Sequence, residues 1–222
     1  MKRPLKLYFL IFIFFILSTY NIKDNKESFS IFFPIKEILI TNNIATNLFE
    51  LKSDLNFLIN TSLFFLNEEK ILITSNKHDF ISSIQLKKKY PNTLKIKISE
   101  KIPVATQIMG KKKFYITNDN RKINFINLQI YNDLPSIFGK HKNFDIFYNE
   151  LKEYNFKISE IKAFYYFDVG RWDIVLKNEK IIKLPKKNYL SLLLKINSML
   201  YDNSFSKYKI FDFRVKNQLI LQ

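Results

Sequence analysis

Residues 1–20, MKRPLKLYFLIFIFFILSTY, set the first constraint on this chain. Lys2, Arg3 and Lys6 precede an apolar run from Leu7 to Leu17, extended weakly by Ser18, Thr19 and Tyr20. A stretch that is apolar on every side has no face for water, so it makes a poor surface helix. Counted from Leu5 to Tyr20, it sits at the edge of the ~17 residues needed to cross a bilayer core. A cleaved signal peptide has the same basic start and apolar middle. No small-residue cleavage pattern follows Leu17, which favours an uncleaved transmembrane helix over residues 7–22. The basic flank, residues 1–6, then stays in the cytoplasm as a short tail, and the chain beyond about residue 25 lies on the other side.

The remaining 200 residues leave room for one large domain or two small ones. The apolar fraction of 47% argues for packed structure rather than disorder. A formal charge of +16 raises nucleic acid or an anionic surface as partners. The basic residues are mostly lysine and spread along the whole chain, which fits solvated faces better than a phosphate groove. We expect no nucleic acid and no small-molecule ligand. With no cysteine, disulfides and thiolate chemistry are excluded. His78 and His141 lack neighbours at metal-ligand spacing, so no metal site is expected. No G-x-S-x-G, phosphate loop or S-x-x-K occurs, and no catalytic residue or cofactor is assigned. Trp172 reads as core, and Lys111–Lys113 and Lys186-Lys187 as solvated loop and helix start.

After a polar spacer at 23–30, residues 31–100 read as strand, helix, helix, strand, strand. Ile35–Ile40 is rich in β-branched residues. Thr46 or Asn47 caps a helix with Leu48, Leu51, Leu55 and Leu58 at helical spacing, and Asn67 caps a second from Glu68 to Ser75. Ile81, Ile84 and Leu86 precede a turn at Pro91-Asn92. Leu94, Ile96 and Ile98 then alternate with Lys95, Lys97 and Ser99, the pattern of a half-buried antiparallel strand.

Residues 101–222 read as mainly antiparallel β with flanking helices. Strands are expected at Val104–Met109, Lys113–Thr117, Lys122–Phe125, Phe164–Phe167, Arg171–Leu176 and Ile181–Leu184. Leu134-Pro135 opens a loop, Asp145 caps a helix to Tyr154, and Lys186–Asp202 is helical. Tyr208–Val215 and Leu219–Leu221 form a last hairpin. Asn118–Asn120 supplies a tight turn, because asparagine tolerates the left-handed conformation that glycine usually provides.

Several of these segments together resemble the FtsQ/DivIB cell-division family. They are Tyr90-Pro91-Asn92-Thr93-Leu94 with its alternating strand, and the corner Glu100-Lys101-Ile102-Pro103-Val104-Ala105. Leu134-Pro135 with Phe138-Gly139, Val169-Gly170-Arg171-Trp172-Asp173, and Phe211-Asp212-Phe213-Arg214 complete the ordered set. The family's turn glycines are largely missing, as at Asn118–Asn120 and Lys216-Asn217, and Tyr90 stands where the family has tryptophan. The resemblance implies an α+β protein with a transmembrane helix, a POTRA domain at 31–100 and a β-domain at 101–222. It implies a non-enzymatic, single-pass type II inner-membrane scaffold at the division septum. Such a protein binds FtsB and FtsL, and meets other division proteins through its POTRA domain. An alternative within reach of the same fold is a POTRA-bearing envelope protein assisting outer-membrane protein biogenesis.

The matching partner positions are Arg171, Phe213, Arg214, Val215 and Lys216. The terminal strand, Leu219, Ile220 and Leu221, adds an apolar edge whose free backbone groups suit pairing with an extended segment. Phe213 and Val215 also fit a purely structural role, and Arg214 a solvated face.

Overall fold

The computed structural model describes residues 4–19, 32–141 and 143–222. Helix α1, Pro4–Thr19, is sixteen residues long, about 24 Å at the α-helical rise. Its described side chains, Leu7 to Ser18, are all exposed. Among the described residues no helix is long and apolar enough to cross a membrane. The span expected at 7–22 therefore overlaps α1 without being found as a transmembrane helix. Tyr20–Ile22, the spacer at 23–30 and the first three residues of the expected tail lie outside the described residues.

The chain divides into two compact units, Met1–Glu100 and Lys101–Gln222. In the first, β1 (Glu37–Thr41), α2 (Leu48–Asp54), α3 (Glu68–Ser75), β2 (Ile81–Lys89) and β3 (Thr93–Glu100) follow the expected order. Asn47 and Asn67 cap the two helices by accepting backbone N–H bonds. Helix α2 ends at Asp54, earlier than the leucine spacing suggests. Leu55 caps it and Leu58 belongs to a 3-10 turn, yet both remain buried. With Leu51, Leu63 and Ile71 they cover Leu94, Ile96 and Ile98, which line the inner face of β3. Strand β3 is central, antiparallel to β2 but parallel to β1. Its parallel partner arrives through the helical crossover such a pairing requires.

Among the described residues the second unit is built on one nine-stranded sheet. Its strands are β4 (Pro103–Met109), β5 (Lys112–Thr117), β6 (Lys122–Asn124), β7 (Ser136–Phe138), β8 (Ile161–Phe167), β9 (Arg171–Leu176), β10 (Ile181–Lys183), β11 (Ile210–Asp212) and β12 (Ile220–Leu221). They lie in the order β12-β11-β10-β9-β8-β7-β4-β5-β6. Strand β7, expected as loop, is parallel to both neighbours in the middle of the sheet. Its three residues are too few to show a period. Two parallel steps, β7 to β8 and β10 to β11, each carry a crossover helix: α4 (Phe144–Glu153) and α5 (Leu190–Leu200). Both pack on one core with Trp172, Ile174 and Phe211. Trp172 stacks on Phe147 with ring centroids 4.8 Å apart. Helix α4 starts after Asn143, so Asp145 lies in the first turn rather than at the cap. Asn120 and Asn217 adopt φ of 59° and 60°, doing what glycine does elsewhere. Gly139 is different: a Cβ there would meet the Tyr166 carbonyl oxygen at 2.1 Å, so only glycine fits beside β8.

Candidate functional site

Strand β12 ends the sheet, and no described strand pairs with its far side. Its register fixes what that side offers. Ile210 and Gln222 exchange both backbone bonds, at 2.9 and 3.2 Å. In an antiparallel ladder the next pair, Phe211 and Leu221, then points its backbone groups away from each other. The N–H and C=O of Leu221 accordingly face outward. The side chains divide as well: Leu221 and Leu219 pack on the core, while Ile220 is 41% exposed on the opposite face.

That opposite face carries a charged row. Asp173 on β9, Lys183 on β10 and Asp212 on β11 are direct cross-strand neighbours, with Ile220 next in line. Arg171 Nε lies 3.2 Å from Asp173 Oδ1, and its guanidinium sits 4.3 Å from the Phe167 ring centre. Arg214 Nε reaches both Asp212 oxygens at 2.8 and 2.9 Å, and its backbone N–H donates to the same carboxylate at 3.0 Å. Because β9 runs against β11, Arg171 precedes Asp173 and Arg214 follows Asp212 toward the same end of the row. Burial pushes the Asp173 carboxyl up, against the pull of Arg171 and Arg214. The Arg214 fork holds Asp212 below the usual carboxylate range and raises Arg214 in return. The two aspartates thus fix two arginines in place and leave the Arg214 side chain 42% exposed.

Beside this end of the row opens a cleft of about 530 Å³. The hairpin loop forms one wall with Phe213, Arg214, Val215, Lys216 and Leu219; the approach to α5 forms the other with Pro185, Lys187, Leu192 and Lys195. Among the described residues four cations line it and no carboxylate does. The structure therefore gathers Phe213, Arg214, Val215, Lys216 and Leu219 around one space, places Ile220 and Leu221 on the adjoining edge, and sets Arg171 two strands away. Phe213 is only 4% exposed and belongs to the core; it shapes the cleft floor rather than its rim. Val215, at 46%, is a rim residue. Lys187 and Lys195 were not among the expected site residues. Lysines before and along a helix carry no signal of which hairpin they will face.

Elsewhere the polar side chains serve structure. Glu100 accepts the N–H groups of Ile44, Ala45 and Thr46 at 3.0, 2.9 and 2.7 Å. Burial pushes its carboxyl up, but hydrogen bonding from Thr46, Ala45 and Ile44 outweighs this and holds it below the usual range. His78 meets Asp54 at 3.0 Å. His141 lies against Phe144 and Trp172, and among the described residues neither ring nitrogen has a hydrogen-bond partner. Among the described residues no group of three or more His, Asp or Glu is placed to hold a metal.

Comparison with known proteins bears on both units. The family of POTRA domains of FtsQ type matches residues 33–101. The Cell division protein FtsQ of Rickettsia bellii is 28% identical over 170 residues, 73% of this chain and 62% of that protein. Those of Rickettsia prowazekii and Blochmanniella floridana are 24% and 25% identical over 194 and 205 residues, covering 86% and 81% of this chain and 72% and 71% of theirs. The match to the Rickettsia typhi protein likewise spans 62% of its length.

Proposed function

Because the chain belongs to the FtsQ family of cell division proteins, we propose that it is a non-enzymatic scaffold of the division machinery. In this reading α1 anchors it in the inner membrane as a single-pass type II protein, with the bulk of the chain periplasmic at the septum. It takes FtsB, and with it FtsL, at the end of the large sheet, while the POTRA domain meets other division proteins. The observation that carries the proposal is the outward backbone of β12 beside a basic cleft that no described carboxylate lines. An extended segment adds as a tenth strand, its side chains reading Ile220 and the cleft rim. Acidic residues next to that segment meet Arg171, Arg214 and Lys216. Arg171 and Arg214 are pre-set by their aspartates, so little side-chain entropy remains to be lost on binding.

Two experiments test this. Replacing Val215 with aspartate, or deleting Leu219–Gln222, is expected to abolish co-purification of FtsB while circular dichroism shows a folded protein. Undiminished capture by both variants removes the edge from the account. A fluorescent fusion at the N-terminus is expected to form a mid-cell band before constriction; uniform envelope signal contradicts the division role.

A further inference from the structure

We propose that one end of the first unit lies against the headgroup layer of an anionic membrane. The inference rests on the reading of α1 as the anchor. It comes from five exposed aromatic side chains: Phe32 (59%), Phe33 (43%), Phe64 (60%), Phe65 (60%) and Tyr90 (51%). They are distant in sequence but one set of bonds joins them. The Phe33 ring meets Tyr90 edge-on at 5.1 Å, and Phe64 meets Phe65 at 5.0 Å. Leu63 N–H donates to the Phe33 carbonyl at 2.9 Å, and the Ser62 hydroxyl donates to the Phe32 carbonyl at 2.9 Å. Lys88 Nζ donates to the Phe64 carbonyl at 3.2 Å.

The same end is basic. Lys36, Lys87 and Lys89 are exposed there, and among the described residues none of the three forms an ion pair. Glu37 lies at the same end, and its carboxylate receives the Thr93 hydroxyl at 3.4 Å. Aromatic rings flanked by lysines suit the boundary of an anionic bilayer: the rings enter the headgroup region and the ammonium groups stay at its charged surface. A lipid surface is favoured over a protein partner by the path of the chain. Phe32 follows the last residue of α1 by thirteen positions, at most about 45 Å of extended chain, so a membrane holding α1 is always within reach of this end.

The absence of cysteine makes a direct test simple. The full chain carries a single Thr61→Cys label beside the aromatic cluster, or Lys77→Cys at the opposite end of β2. Each is reconstituted into vesicles of phosphatidylcholine and phosphatidylglycerol at about three to one, with headgroup-level spin-labelled lipid as quencher. Thr61→Cys is expected to be quenched several-fold more than Lys77→Cys. The difference should shrink in phosphatidylcholine alone, and in the Phe64→Ser/Phe65→Ser variant, whose melting is checked separately. Equal quenching at the two positions in floating vesicles overturns the inference and leaves the anchor standing. Failure of the unlabelled chain to float with vesicles overturns both.

Discussion

The two sheets of this protein end in opposite ways. In the first unit, β2 is nine residues long with no described strand on its outer flank, and it closes on Lys87, Lys88 and Lys89. Charges on a long edge are a common guard against pairing with other chains. In the second unit β12 has two residues, and the segment Leu219-Ile220-Leu221 carries no charge. Its cations stand aside from the edge, in the cleft and on the two arginines. On the proposed reading the longer, more obvious edge is the defended one, and the short edge is the one that a partner takes. If that reading holds, edge length matters less to an interface than where the charge lies relative to the free backbone.

The largest test removes the outward donor together with the Leu221 side chain, so Leu221→Ala serves as the packing control. Leu221→Pro deletes an N–H that β11 does not use, and proline is tolerated on edge strands. We expect FtsB binding to fall by more than ~100-fold in Leu221→Pro and far less in Leu221→Ala, while both variants lose similar stability from the missing core contact. Binding within a few-fold of the original would break the contrast. The mirror experiment acts on the sheet interior: Gly139→Ala forces a Cβ onto the Tyr166 carbonyl. It should cost about 2–4 kcal/mol in denaturant unfolding and leave the affinity of the folded fraction unchanged.

Smaller effects follow from the charges. Arg214→Ala removes a cleft cation and strands Asp212, and about tenfold weaker binding is expected by titration. Lys87→Val with Lys89→Val strips the guard from β2, and light scattering should show concentration-dependent self-association that the original chain lacks. The smallest concerns acid. Burial beside Phe144 and Trp172, with Lys122 adding to it, lowers the pKa of His141 despite the opposing Asp145. The unfolded chain therefore binds this proton first. Stability of the second unit is full above the ordinary histidine value of ~6.5 and falls as pH drops from there toward the lowered value. The lowered Glu100 carboxyl acts in the first unit: its contribution is present above the unfolded value of ~4.3 and is lost as pH falls through the folded one. Between pH 7 and 5.5, loss of stability should be confined to the second unit and disappear in His141→Leu.

The sequence made the first unit easy to read because each element is long enough to carry a period or a cap. Leu94, Ile96 and Ile98 alternate, and Asn47 and Asn67 sit where capping requires them. Periodicity does not encode direction, so it could not show that β3 runs parallel to β1. Strand β7 was hidden because Ser136–Phe138 is too short to alternate, although Gly139 marks the close approach that follows it. At the site, Arg214 and the apolar tail were visible in the sequence. The other cleft wall was not, because Lys187 and Lys195 reach it only through the crossover that brings β11 beside β10. Nor could the sequence show that Phe213 packs inward while Val215 turns out. That depends on where β11 stops, and Asp212, held by Arg214, is its last residue.

Amide hydrogen exchange at Leu221 tests the central claim most directly. In the free protein this N–H should exchange quickly, while Ile210, bonded to Gln222, is already protected. Adding FtsB should slow Leu221 strongly and leave Ile210 unchanged. Saturating FtsB with no change at Leu221 would contradict strand addition at β12.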